Sequence, residues 1–147
     1  MLTAARLVAA ILFAITGYVA GGYITDTFPD GMRHDWFEPS IAALGVWQGW
    51  TVMGKNVGRG FTAAIGNGIR TSVGMIFFGL IYYAMRQMLI RSSDLWYNDF
   101  GVAVVDALNL FIEYGLDLAN IPMALAALLV GGVVGGILTE IASRLWR

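Results

Sequence analysis

The sequence predicts an all-α integral membrane protein, built from four transmembrane helices and one amphipathic acidic helix. Three observations carry this reading. Of 147 residues, 58% are hydrophobic and 13% charged, with a mean hydropathy of +0.69, whereas soluble domains run near half apolar and a quarter charged. Four apolar stretches are long enough to cross, or nearly cross, a hydrocarbon core of about 30 Å. Most charges sit between those stretches rather than within them. The chain reads as a single transmembrane domain over 1–147, with spans at about 4–24, 39–53, 61–88 and 121–143 and the amphipathic helix at about 98–119. The absence of cysteine excludes disulfides, thiolate metal sites, iron–sulfur ligation and thiol redox chemistry. A net charge of −1 exerts no global pull on nucleic acid, so the expected partners are membrane lipid and other membrane chains.

The first span carries a single charge, Arg6, at its start. A secretory signal peptide also begins with a basic residue and an apolar run. Here the run is longer than an ordinary signal core, and the small residues near Ala20 precede a bulky Tyr23, so a retained helix is expected. Gly17 and Gly21 form a G-x-x-x-G face where backbones approach closely, read as packing within the chain. The polar segment 25–38 sets Asp26, Asp30, Asp35 and Glu38 against Arg33, with Pro29-Asp30-Gly31 as a turn. His34, the only histidine, has carboxylates nearby, but one histidine in a hydrophilic loop reads as solvated; no metal site is expected.

The second stretch is short, about 22 Å as a helix, and requires a thinned bilayer or flanking residues. Glu38 before Pro39 suits a helix start, by the tolerance of proline at the first position and the attraction of a carboxylate to the positive dipole end. Gly45 and Gly49 make a second small-residue face, Trp47 and Trp50 suit an interface, and Gln48 is expected to turn toward protein. The connection GKNVGRG, 54–60, lacks the order of a phosphate-binding loop and reads as a basic membrane turn carrying Lys55 and Arg59.

The third span organises the chain. It places Arg70 about 12–14 Å in from Phe61, where a guanidinium is costly unless it meets protein, water or a partner. Within it, Gly66-Asn67-Gly68 weakens a helix. The segment reads either as close packing against the first or second helix, or as a polar break lining a cavity. Asn67 lies one turn from Arg70 on nearly the same face, and Tyr82, Tyr83 and Arg86 mark the far interface.

In the segment 92–120, Asp99, Asp106, Asn109, Glu113 and Asp117 share one helical sector about 80° wide. Such a helix lies in the interface with its acidic edge in water, or stands in the membrane with that edge facing protein. A fifth span at 100–118 is the alternative architecture; it would submerge Asp106 and Glu113. Asn120 and Pro122 supply a break and a new start. The last span carries Gly131, Gly132, Gly135 and Gly136, and Glu140, Arg144, Trp146 and Arg147 end it at an interface.

Arg70 is always charged. Asp106 or Glu113, Gln48, freed carbonyls or water are its candidate partners, and Asn67, Arg70, Asp106, Asn109 and Glu113 together form a candidate polar or anion site. The alternative is that Arg70 snorkels to lipid phosphate, and no site exists. Gly17, Gly21, Gly45, Gly49, Gly131 and Gly135 are the expected helix-packing positions. No nucleophile–base pair, metal-ligand spacing or nucleotide motif is visible, so neither enzyme nor cofactor is expected. Arg6, Lys55, Arg59, Arg144 and Arg147 sort to one side with Glu140 as its sole acid, which puts both termini in the cytoplasm.

The segments LTAARLVAAILFA, MGKNVGRGFTAAIGNGIRT, FIEYG and GGVVGGILTEIASRLWR give the chain a resemblance that covers most of its length: it resembles the TrgA family of small bacterial inner-membrane proteins associated with tellurium (tellurite) resistance. The resemblance implies a multi-span membrane protein that contributes to resistance by an undefined, non-enzymatic mechanism, through oxyanion handling or through the state of the membrane. It implies no catalytic residue. A second reading is an accessory or assembly subunit of a larger respiratory or photosynthetic membrane complex, which the glycine faces, tryptophans and acidic helix would suit. A homo-oligomer is compatible with the same glycine faces.

Overall fold

The computed structural model describes residues 2–27, 36–93 and 99–146, with side chains from residue 4 onward. The Pro29-Asp30-Gly31 turn, Arg33, His34, Asp35 and Arg147 lie outside the described residues. The described chain is helical without strands: α1 is Leu2–Thr25, α2 is Phe37–Gln48 continued by a π-helical turn over Gly49–Met53, α3 is Phe61–Ser93, α4 is Phe100–Ala119 and α5 is Pro122–Leu145.

Three of these, α1, α3 and α5, are long and apolar enough to cross a membrane. The segment expected as the second span forms α2 with its π turn and the segment expected as the amphipathic helix forms α4; neither is among those three. At 33 residues α3 extends about 50 Å, well beyond a hydrocarbon core, and runs five residues past its expected end at Met88.

Glycine decides how the helices meet. α1 packs antiparallel on α2, with Gly17 against the Ile41 carbonyl, Gly21 against Glu38, Gly45 against the Phe13 carbonyl and Gly49 against the Ala9 carbonyl. Both G-x-x-x-G faces therefore serve one intramolecular seam, where a Cβ would strike backbone. α5 divides its paired glycines between two neighbours. Gly131 and Gly135 meet Thr16 and Phe13 of α1, whereas Gly132 and Gly136 meet the Gly68 and Ala64 backbones of α3. With α2 also touching α3, the four helices close a ring in the order α1, α2, α3, α5.

The interior of the ring is filled by Ala9, Phe13, Ala20, Met53, Ala64, Met75 and Leu128. Large apolar side chains point outward instead: Leu7, Ile11 and Ile15 on α1 are each about half exposed, as are Leu129 and Val134 on α5. That distribution fits an apolar solvent, in which small residues bring backbones together and Leu, Ile and Val face the tails. Hydroxyls in the helices are satisfied locally: Thr16, Thr71 and Thr139 donate to the carbonyls of Leu12, Asn67 and Gly135 at 2.9, 2.7 and 2.6 Å. Ser72 donates across the α3–α5 seam to the Leu128 carbonyl at 2.7 Å.

α4 stands outside the ring against α3. Its contacts with α3 include Phe77–Phe111, Leu80–Gly115 and Arg91–Asp106.

Candidate functional site

The sequence-derived polar set does not assemble. Arg70 lies on the exposed side of α3, beside Gly66, whose missing Cβ would meet nothing within 4 Å. Asn67 instead turns to the 54–60 connection and donates to the Asn56 carbonyl at 3.2 Å. Asp106 accepts two hydrogen bonds from Nη1 of Arg91, at 3.0 and 2.9 Å. Arg91 is about 30 Å further along α3 than Arg70, which removes Asp106 from Arg70's reach. Asn109 and Glu113 are exposed on α4. Of the other expected partners, Gln48 is buried against Gly74. Gly66-Asn67-Gly68 stays within a continuous helix. Its packing glycine, Gly68, meets Gly132 and Gly136 of α5 rather than the first or second helix.

The polar centre that the fold does build is Glu140. Its side chain is 1% exposed, although it lies at the end of the ring that carries the 54–60 loop. Oε2 accepts the Gly58 N–H at 2.7 Å, and Oε1 accepts the Gly60 N–H at 3.2 Å and Nε of Arg144 at 3.2 Å. A buried carboxylate costs free energy unless its lone pairs are filled, and here the backbone of a loop fills them. The loop can do so because Gly58 and Gly60 adopt φ of 85° and 102°, a left-handed region that other L-residues enter at a cost. Alternating left-handed glycines turn their N–H groups to one side, as in backbone anion nests.

Further contacts hold the loop for this task. The π turn closes with the Gly54 N–H on the Gly49 carbonyl at 2.8 Å, and the side chain of Asn56 donates back to the Val52 carbonyl at 2.7 Å. Asn67 then fixes Asn56 from α3. The Arg144 guanidinium lies over the Phe61 ring, 4.5 Å from its centroid, a cation–π contact that ties the end of α5 to the start of α3. The clasp therefore joins α2, α3 and α5 at one end of the ring, where Arg6 of α1 also packs on Gly54. Both Glu140 oxygens are committed, which suits anchoring rather than proton transfer.

Periodicity does not find this site, because its donors are backbone groups some 80 residues from the acceptor. The one usable signal is that Glu140 is the sole acid at an otherwise basic end. Among the described residues, no group of three or more His, Asp or Glu is placed to hold a metal ion. An open groove of about 270 Å³ between α2 and α3 is lined by Ser40, Ala43, Leu44, Trp47 and Tyr82. Comparison with protein-family models, curated proteins and solved structures finds no match to this chain.

Proposed function

We propose that the chain is a multi-span protein of the bacterial inner membrane that contributes to tellurite resistance without chemistry of its own. It acts through the state of the membrane rather than by conducting an oxyanion. The tellurite link rests on the resemblance to the TrgA family. The observation that supports the choice of mechanism is the filled interior: glycine-to-backbone contacts, Phe13, Met53 and Met75 occupy the centre of the ring, while Arg70 is turned outward.

In this reading α2 and its π turn, 37–53, make a fourth and short crossing of about 25 Å, and α4 lies along the opposite interface with Glu113 and Asp117 in water. Both termini then face the cytoplasm with Lys55 and Arg59. The cysteine-free sequence makes this testable by single-cysteine labelling from outside the cell. Ser93→Cys is expected to label in intact cells, and Lys55→Cys only after lysis; the reverse pattern inverts the topology.

Growth on graded tellurite tests the function, comparing a deletion strain with strains restored by wild type or by Arg70→Leu at matched protein level. Wild type and Arg70→Leu are both expected to restore tolerance. Loss of tolerance with Arg70→Leu would return the arginine to an oxyanion role, and no difference between deletion and wild type would end the tellurite reading.

A second reading, an accessory subunit of a larger membrane complex, is favoured by α4. Its outward face carries Val105, Leu108, Ile112 and Leu116, each at least 58% exposed, on a helix outside the three candidate spans. Co-migration with a large complex in mild detergent supports it, and a small lone species counts against it.

A further inference from the structure

Arg70 is the feature that the packing of the ring leaves without a role. Among the described residues it has no hydrogen bond or ion pair, yet it lies about 13 Å inside α3 from Phe61. A helical side chain leans back over the turn that precedes it. For Arg70 that turn holds Gly66, where the surface is open, and then the exposed Thr62. The missing side chain at Gly66 leaves open surface between Arg70 and the basic end of the ring, a length that an arginine stem can cover.

Among the described residues, that end has no free side-chain carboxylate to offer it. Its described cations are Arg6, Lys55, Arg59, Arg70 and Arg144, and its one carboxylate, Glu140, is buried and filled by Gly58, Gly60 and Arg144. Nε of Arg6 is also buried without a hydrogen-bond partner. A stem laid on apolar surface with its charged head at the interface is how arginine behaves beside lipid, and a guanidinium is matched to phosphate oxygens by its fork of donors.

We propose that Arg70 and the open surface at Gly66 form a site for the headgroup phosphate of an anionic phospholipid. The lipid's acyl chains lie along the exposed Val73 and Phe77, and the surrounding cations favour an anionic lipid over a zwitterionic one. This rests on the membrane-embedded reading and not on the tellurite one.

The test is native mass spectrometry of the full chain in detergent, with phosphatidylglycerol or phosphatidylcholine of matched acyl chains added. Wild type is expected to retain phosphatidylglycerol in preference. Arg70→Gln should lower that retention about fivefold, the value of one cation near an anionic surface. Gly66→Leu should lower it as well with the charge intact, which keeps the proposal testable should Arg70→Gln fail to fold. Equal retention of the two lipids by wild type, or wild-type retention by both folded variants, overturns the site. Displacement of the lipid by millimolar inorganic phosphate would identify a soluble-oxyanion site and overturn the lipid assignment.

Discussion

Replacing Glu140 by alanine removes the acceptor for two backbone N–H groups while leaving the loop that presents them. The Gly58 and Gly60 donors sit at 2.7 and 3.2 Å from a carboxylate that is 1% exposed, whereas Gly58 itself is exposed and Gly60 half-buried, so water replaces part of what the carboxylate supplies. A buried donor left unpaired costs about 1–3 kcal/mol, and with both donors partly open to water Glu140→Ala should cost about 2–4 kcal/mol. The Arg144 pair contributes far less, because its guanidinium side is 52% exposed and exposed pairs of this kind are worth at most about 1 kcal/mol. Arg144→Ala should therefore cost about 1 kcal/mol or less, including the contact with Phe61. Glu140→Gln should fall between, at about 2 kcal/mol, since one amide oxygen remains to accept while the amide N–H₂ faces a donor. Unfolding by SDS titration in mixed micelles, followed by far-UV circular dichroism, measures all three. A Glu140→Ala protein within 1 kcal/mol of wild type would refute the clasp. Equal losses for Glu140→Ala and Arg144→Ala would show that the ion pair, and not the backbone, carries it.

The same titration separates two glycines that are two residues apart. Gly68→Ala drives a Cβ into the Gly132 carbonyl and should cost about 1–3 kcal/mol by overpacking, whereas Gly66→Ala meets open space and should stabilise α3 by about 0.5–1 kcal/mol. Equal effects of one sign would refute the α3–α5 contact. Gly60→Ala has room for its Cβ but holds φ at 102°, so it should cost about 1–2 kcal/mol through backbone conformation alone; a neutral result would mean that the loop relaxes. Asp106→Asn breaks the bidentate contact with Arg91 and should lower stability by no more than about 1 kcal/mol, with faster amide hydrogen exchange confined to α4. Unchanged exchange there would show that apolar contacts alone seat the helix.

The helices and their seams were legible because both follow local rules. A long apolar run needs only its own composition to be recognised as a helix in a bilayer, and the glycines Gly17, Gly21, Gly45, Gly49, Gly131 and Gly135 announce close approach by lacking a side chain. What the spacing cannot convey is which neighbour each glycine meets. Gly132 and Gly136 sit one residue from the expected pair and serve a different helix, since one residue rotates a position by about 100°. Arg70 illustrates the opposite limit. Its place along α3 follows from counting, but that place says nothing about direction, and the inward reading set it opposite carboxylates that α4 carries far along α3. Glu140 was hidden for a third reason: its partners are peptide groups, which every residue possesses, and only two left-handed glycines make them available.

The double glycine pattern of α5 also bears on the order in which the molecule comes together. α1 and α2 can close their seam as soon as both are made, since each supplies half of it. α3 has no comparable arrangement with α1; what joins them is α5, which emerges from the ribosome after both. Without α5 the Gly58 and Gly60 N–H groups lack the Glu140 acceptor, and the Ala64 and Gly68 face of α3 is uncovered. Arrival of α5 fills the gap and delivers the carboxylate in one step. A chain that stops before α5 would lack both the partner of the α3 seam and the carboxylate that the loop binds.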